Sequence, residues 1–147
     1  MKKLMPTTWL LISLLAMLAV RLVLPGPPMV PAPWNLLGLV PVALGVWINL
    51  AADKAIHLAH TTVKPFEAPT ALITDGVYGF TRNPMYLGFA GILLGVAVLL
   101  GAWMPAVIVV AFVGMMHLVF IKPEEQSLEH NFGKAWIEYE QRVRRWI

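Results

Sequence analysis

Four long apolar runs, joined by connections that alternate between uncharged and charged, leave this chain few architectures. They cover residues 8–24, 34–55, 84–100 and 105–121, about 17 to 22 residues each. A helix of that length crosses the hydrocarbon layer of a bilayer. Inside lipid every backbone N–H and C=O must be satisfied within the segment, which favours helices over open strands. Composition agrees: 59% of residues are apolar, 13% are charged, and mean hydropathy is +0.71. The expectation is an all-α integral membrane protein, a single membrane domain over 1–147. It has four transmembrane helices, a cytoplasmic loop over 61–83 and a C-terminal amphipathic helix over 123–147. The absence of cysteine excludes disulfides, thiolate metal sites and a cysteine nucleophile.

The first run follows Met1-Lys2-Lys3, a basic start that also fits a signal peptide. Arg21 close behind the apolar core, with no clear small-x-small cleavage site, favours a retained helix. Pro41 and Gly45 mark a kink or close-packing point in the second run. Charge then sets the orientation. Lys2 and Lys3, the segment from Asp53 to Arg82, and everything after Ile121 hold every charge except Arg21. Four spans put those regions on one side, and the positive-inside rule makes it cytoplasmic. The expected location is therefore the cell inner membrane, with both termini in the cytoplasm.

Three polar features sit on that side. Asn49, Asp53, His57 and His60 recur at helical spacing and share one face at the inner end of the second helix. Asp53, His57 and His60 are reasonable metal ligands, but no further ligand or signature accompanies them. The preferred reading is a polar stripe facing the bundle interior or the headgroups, with no metal. The second feature is Gly76-Val77-Tyr78-Gly79-Phe80-Thr81-Arg82-Asn83-Pro84-Met85-Tyr86-Leu87-Gly88, where a polar loop enters the third helix. Pro84 suits the first turn of that helix, and Arg82 offers a planar fork of donors. By themselves these residues also fit a helix start with interfacial aromatic anchors.

The third feature is the acid pair Glu124-Glu125 at the end of the fourth span, a place where carboxylates are functional candidates. On a regular helix His117 lies two turns earlier on much the same face. Beyond the pair, Leu128, Phe132, Trp136, Tyr139, Val143 and Trp146 form an apolar stripe opposite Lys134, Arg142 and Arg144. That pattern reads as an interfacial helix resting on anionic headgroups.

Taken together, the segment from Gly76 through Arg82-Asn83-Pro84-Met85-Tyr86-Leu87-Gly88 and the sequence Glu124-Glu125…Leu128…Phe132-Gly133…Trp136…Tyr139…Val143-Arg144-Arg145-Trp146 resemble the isoprenylcysteine carboxyl methyltransferase family. The phospholipid N-methyltransferases are related to it. The likeness covers about residues 61–147, fits the second helix less specifically and the first hardly at all. It implies an S-adenosylmethionine-dependent methyltransferase with its cofactor pocket at the cytoplasmic end of the last two spans. By position, the implied cofactor contacts are Thr70, Ala71, Leu72, Ile73, Tyr78, Asn83, Pro84, Met85, Tyr86 and Glu124. This chain departs from the prenylcysteine enzymes in two places. It has Asn83 where they usually have histidine, and it lacks their arginine shortly before the acid pair, leaving His117 and Lys122 nearby.

The cofactor's chemistry suits these residue types. Glu124 or Glu125 can pair with its ammonium or accept from its ribose hydroxyls, and Arg82 or backbone donors can take its carboxylate. Tyr78 or Tyr86 can pack on adenine. An amine acceptor must lose a proton, which gives Glu125 or His117 a role as base. Arg145, in the family's Val-x-Arg-aromatic position, is the candidate for an anionic acceptor. The acceptor itself is expected to be lipophilic, entering sideways from the bilayer among membrane lipids, with no nucleic-acid partner. Two other readings stay open: a nicotinamide-dependent sterol or enone reductase, whose C-terminus resembles this family's, and a non-enzymatic membrane scaffold.

Overall fold

Glycine spacing dictates how the second and third helices meet. In a computed structural model, which describes residues 4–24, 26–61 and 70–147, helix α2 (Leu39–Leu58) follows a 3-10 turn at Trp34–Gly38 and packs antiparallel on α3 (Pro84–Leu100). Gly38 lies against Gly95 and Gly45 against Gly88, one heptad apart on each helix. A Cβ placed on Gly45 would come within 2.4 Å of the Gly88 carbonyl, and one on Gly38 within 2.4 Å of the Gly95 carbonyl. Backbones that close leave no room for side chains, and this is how helices gain dispersion contact where lipid offers no hydrophobic drive. Pro41 falls in the first turn of α2, where its missing N–H costs nothing, so the expected kink is the 3-10-to-α junction.

Helix α1 (Pro6–Val23) and α4 (Trp103–Met116) complete the bundle around α3. Their core consists of Met17 from α1, Tyr86, Phe89, Leu93 and Ala97 from α3, and Phe112, Met116, Phe120 and Ile121 from the fourth helical segment. The outward residues are large and apolar, including Leu11, Leu15 and Leu22 on α1, Leu44, Trp47 and Leu50 on α2, and Val107 and Val110 on α4. Such a continuous apolar exterior needs lipid. Three helical segments, Pro6–Val23, Trp34–Leu58 and Trp103–Phe132, are long and apolar enough to cross a membrane, and the chain is an integral membrane protein. Helix α3, with 17 residues, is a shorter apolar helix beside these three. Among the described residues β pairing is limited to an isolated bridge between Pro28 and Ala102.

The far end of the bundle explains Arg21. Helix α3 stops at Gly101, whose φ of +63° is the left-handed geometry that glycine adopts freely. Its last carbonyls then need donors. Arg21 Nε donates to the Leu100 carbonyl at 3.0 Å and Asn35 Nδ2 to the Leu99 carbonyl at 3.0 Å.

The fourth helix and the tail differ from expectation. The helix does not end at Ile121: it passes through a π turn at His117–Ile121 and continues as α5 (Lys122–Phe132). Pro123 cannot donate to residue 119 and would clash with its carbonyl, and the widened turn just before it relieves both problems. Nor is 123–147 one amphipathic helix. Gly133, at φ +48°, breaks it, α6 (Lys134–Arg142) follows, and the chain leaves helical geometry at Val143. The apolar stripe faces protein instead of headgroups: Trp136, Tyr139 and Val143 are buried with Leu72, Leu128 and Phe132 around them.

The glycine seam generates a paired test. Gly45→Ala, which pushes a methyl into the backbone of α3, is expected to cost about 1–3 kcal/mol of stability. Gly114→Ala should be neutral, because its Cβ would meet nothing within 4 Å. Thermal unfolding of both variants in detergent checks the contrast, and equal midpoints would contradict the seam.

Candidate functional site

Where α3 begins, α5 begins and α6 ends, the polar residues of the chain converge. Pro84 opens α3, which holds Asn83 and Arg82 in the loop just outside it. The π turn sets the rotation of α5, so Glu124 and Glu125 face back toward α3. A cavity of about 410 Å³ lies between them, within the size range of small-molecule sites. It is lined by Ala71, Leu72, Ile73, Tyr78, Arg82, Asn83, Pro84, Met85, Tyr86, Glu124 and Glu125, all singled out from the sequence.

The two acids have different partners. Tyr86 Oη donates to Glu124 Oε1 at 2.7 Å, and the Tyr86 ring is steadied by Phe120, with ring centroids 6.2 Å apart. Glu125 is nearly buried and grips Arg145: Nε lies 3.1 and 2.9 Å from its two oxygens and Nη2 lies 2.6 Å from Oε2. Arg82 stands 3.6 Å from the same carboxylate, donates through Nη1 to Glu140, and lies 5.5 Å from the centre of the Trp136 ring. A guanidinium with only 7% of its side chain exposed needs such company.

The Arg82-Asn83 segment also clasps the end of the chain. The Arg82 amide donates to the Arg144 carbonyl at 3.0 Å. Thr81 Oγ1 and Asn83 Nδ2 both donate to the Arg145 carbonyl at 3.1 Å. Tyr139 Oη donates to the Tyr78 carbonyl at 2.6 Å, joining α6 to the same loop. Burial pushes the Tyr139 phenol up to about 12, partly offset by Arg82, and raises the Tyr78 phenol further, so both stay neutral. The hydrogen bonds and charge of Glu125 raise Arg145 above its ordinary value.

Several sequence-predicted residues are placed elsewhere. His117 does not line the cavity, because the π turn between it and the acids removes the shared face. Thr70 is exposed and bonds to Thr61 Oγ1 and the His60 carbonyl. Arg145 lies beside the cavity on Glu125, not in it. Of the polar stripe on α2, Asn49 packs against Gly88 and Asp53 lines the cavity. His57 is mostly exposed, 3.5 Å from the Asp53 carboxylate, and His60 lies beyond the helix end with φ +49°. Residues 62–69 of the expected loop lie outside the described residues.

Sequence reasoning missed other parts of the lining, among them Met5, Pro6 and Thr7 from α1 and its start, Ile56, Phe89, Ser127, and above all Trp136 and Tyr139. The last two were legible as members of an apolar stripe, but nothing in that periodicity told protein from lipid as the surface it covers.

The fold and site define a helical membrane protein with a carboxylate- and tyrosine-lined cavity at one end of its bundle. The profile of the phospholipid methyltransferase family matches residues 34–135, and the chain belongs to this family. Curated relatives include a protein-S-isoprenylcysteine O-methyltransferase of Schizosaccharomyces pombe, 32% identical over 104 residues, covering 69% of this chain and 44% of that protein. That of Saccharomyces cerevisiae is 31% identical over 111 residues, 74% of this chain and 46% of the relative. Protein-S-isoprenylcysteine O-methyltransferase B of Arabidopsis thaliana is 36% identical over 72 residues, 49% of this chain and 36% of the relative. The chain thus spans less than half the length of these relatives. No solved structure matches it.

The clasp predicts a measurable loosening. Asn83→Ala removes one bond to the Arg145 carbonyl and should cost about 0.5–1.5 kcal/mol. Hydrogen exchange at the Arg82 amide, which donates to Arg144, should accelerate in the same variant. Unaltered exchange there would mean the tail is held by other means.

Proposed function

We propose that this protein transfers a methyl group from S-adenosylmethionine to a lipophilic or amphiphilic small molecule at the cytoplasmic face of the membrane. The observation that carries this reading is Glu124. Its neighbour Glu125 is matched by two arginines, whereas Glu124 lines the cavity and accepts a hydrogen bond from the Tyr86 hydroxyl. A carboxylate so placed suits a cationic ligand, and the donor carries both a sulfonium and an ammonium.

The rest of the cavity fits the same group. Leu72, Ile73, Trp136 and the ring of Tyr78 give flat or apolar surface for a purine, and Asp53 adds a second acid toward α2. When bound, the donor supplies an electrophilic methyl on sulfur. The chain's own work is to hold and orient: Glu124 fixes a positive group, Tyr86 fixes Glu124, and the apolar lining keeps water from the reacting centre. A thiolate or carboxylate acceptor would need no base from the protein.

Depth supports the acceptor class. Helix α3 has 17 residues and rises about 25 Å, short of the hydrocarbon thickness, so its opening residues lie at the membrane boundary. An acceptor anchored in lipid would reach the cavity there. The relatives' names describe O-methylation of S-isoprenylcysteine in proteins, and a prenyl group is one anchor of the required kind. Four helices crossing the bilayer, both termini in the cytoplasm and location in the cell inner membrane complete the proposal, supported by the concentration of Lys and Arg on the cavity side.

Two measurements test it. Calorimetry with S-adenosylmethionine should show binding to the parent and an affinity about ten- to a hundred-fold lower in Glu124→Gln, the worth of a charge-assisted contact. Equal affinity would move the pocket elsewhere. Because the chain has no cysteine, single cysteines report topology cleanly. In intact cells Met29→Cys should react with an impermeant thiol reagent, and Lys134→Cys should react only after permeabilisation. The reverse pattern would invert the orientation.

A further inference from the structure

Three charged side chains meet beside the cavity, and their arithmetic affects any charged ligand inside it. Glu125 lines the cavity wall, while Arg145 approaches it from outside and holds both carboxylate oxygens. Arg82 is the more distant partner of Glu125, and its guanidinium is shared with Glu140 and the Trp136 face. Arg145 is thus the cation chiefly matched to Glu125, and it is fixed there by the Thr81 and Asn83 bonds to its own carbonyl. Resting on the donor reading above, we infer that Arg145 is a positioning residue that sets the charge the cavity presents. By neutralising Glu125 it leaves Glu124 as the principal carboxylate of the acid pair facing the ligand, and so tunes discrimination between sulfonium donor and thioether product.

The logic is electrostatic. Donor and product share nearly the same shape and differ by one positive charge on sulfur. A less compensated pair of glutamates would act alike on the ammonium and carboxylate that donor and product share, but would add attraction for the sulfonium that only the donor carries. Charges several ångströms apart near a protein surface interact strongly enough to change such a ratio severalfold. Asp53 lines the same cavity from α2, and Tyr78, Tyr86 and Tyr139 stand on its wall. The Arg145 side chain bonds to Glu125 and to none of these groups, so changing Arg145 alters chiefly the state of Glu125.

The test is the ratio of dissociation constants, S-adenosylhomocysteine over S-adenosylmethionine, measured by calorimetry on the full chain in detergent. Arg145→Met should raise the ratio roughly three- to tenfold, because a Glu125 left with only the more distant Arg82 favours the sulfonium. Glu125→Gln, which leaves the arginine unmatched, should lower it. The double variant Arg145→Met/Glu125→Gln keeps charge balance and should return to the parental ratio, whatever the single variants do to folding. A merely structural arginine would weaken both ligands together, so an unchanged ratio in Glu125→Gln and Arg145→Met overturns the inference while the donor site stands. Failure of the parent to bind either nucleoside overturns the donor site and this inference with it.

Discussion

A carboxylate taken out of water must be matched, and at Glu125 that requirement organises a whole end of the molecule. Two arginines answer it, one from the loop before α3 and one from the last residues of the chain. Because breaking a buried pair leaves an isolated charge, the contact resists loss even where its net worth is modest. Its geometric effect is larger than its energy. It brings together segments more than sixty positions apart, and the backbone bonds from Thr81, Arg82 and Asn83 to residues 144 and 145 follow along the same line. The cavity wall is in this sense built by the tail.

That dependence explains which parts of the site could be read from the sequence. The Tyr86–Glu124 partnership joins two motifs that each announced themselves, an aromatic at a helix start and an acid at a span's end. The four apolar runs were equally plain, since length and hydropathy are local properties, and the third emerged with the bounds expected of it. The direction in which Arg82 and Arg145 point was not legible. An arginine near an acid-rich site suits a ligand's carboxylate as well as a protein's, and only the folded chain shows that both turn to glutamates.

The tail was misread for a related reason. A stripe of Leu128, Phe132, Trp136, Tyr139 and Val143 has the same spacing whether it covers lipid or protein. Gly133 was the available signal, a residue able to adopt positive φ and break the helix so that α6 folds back. His117 is placed away from the cavity for a different reason. Its assignment assumed 3.6 residues per turn through Pro123, and the widened turn invalidates that count.

The same turn has a consequence for how such a chain can vary. A π turn takes in an extra residue, shifting the helical phase beyond it by about 100° relative to an unbroken helix. The lipid-crossing portion and the acidic portion are therefore aimed independently, like two shafts keyed at a collar. Substitutions along α4 can follow changes in bilayer thickness or neighbouring helices without swinging the glutamates. Deleting one residue between His117 and Ile121 would restore a regular helix and rotate the acid pair away from Tyr86, leaving the span intact and the cavity without its charge.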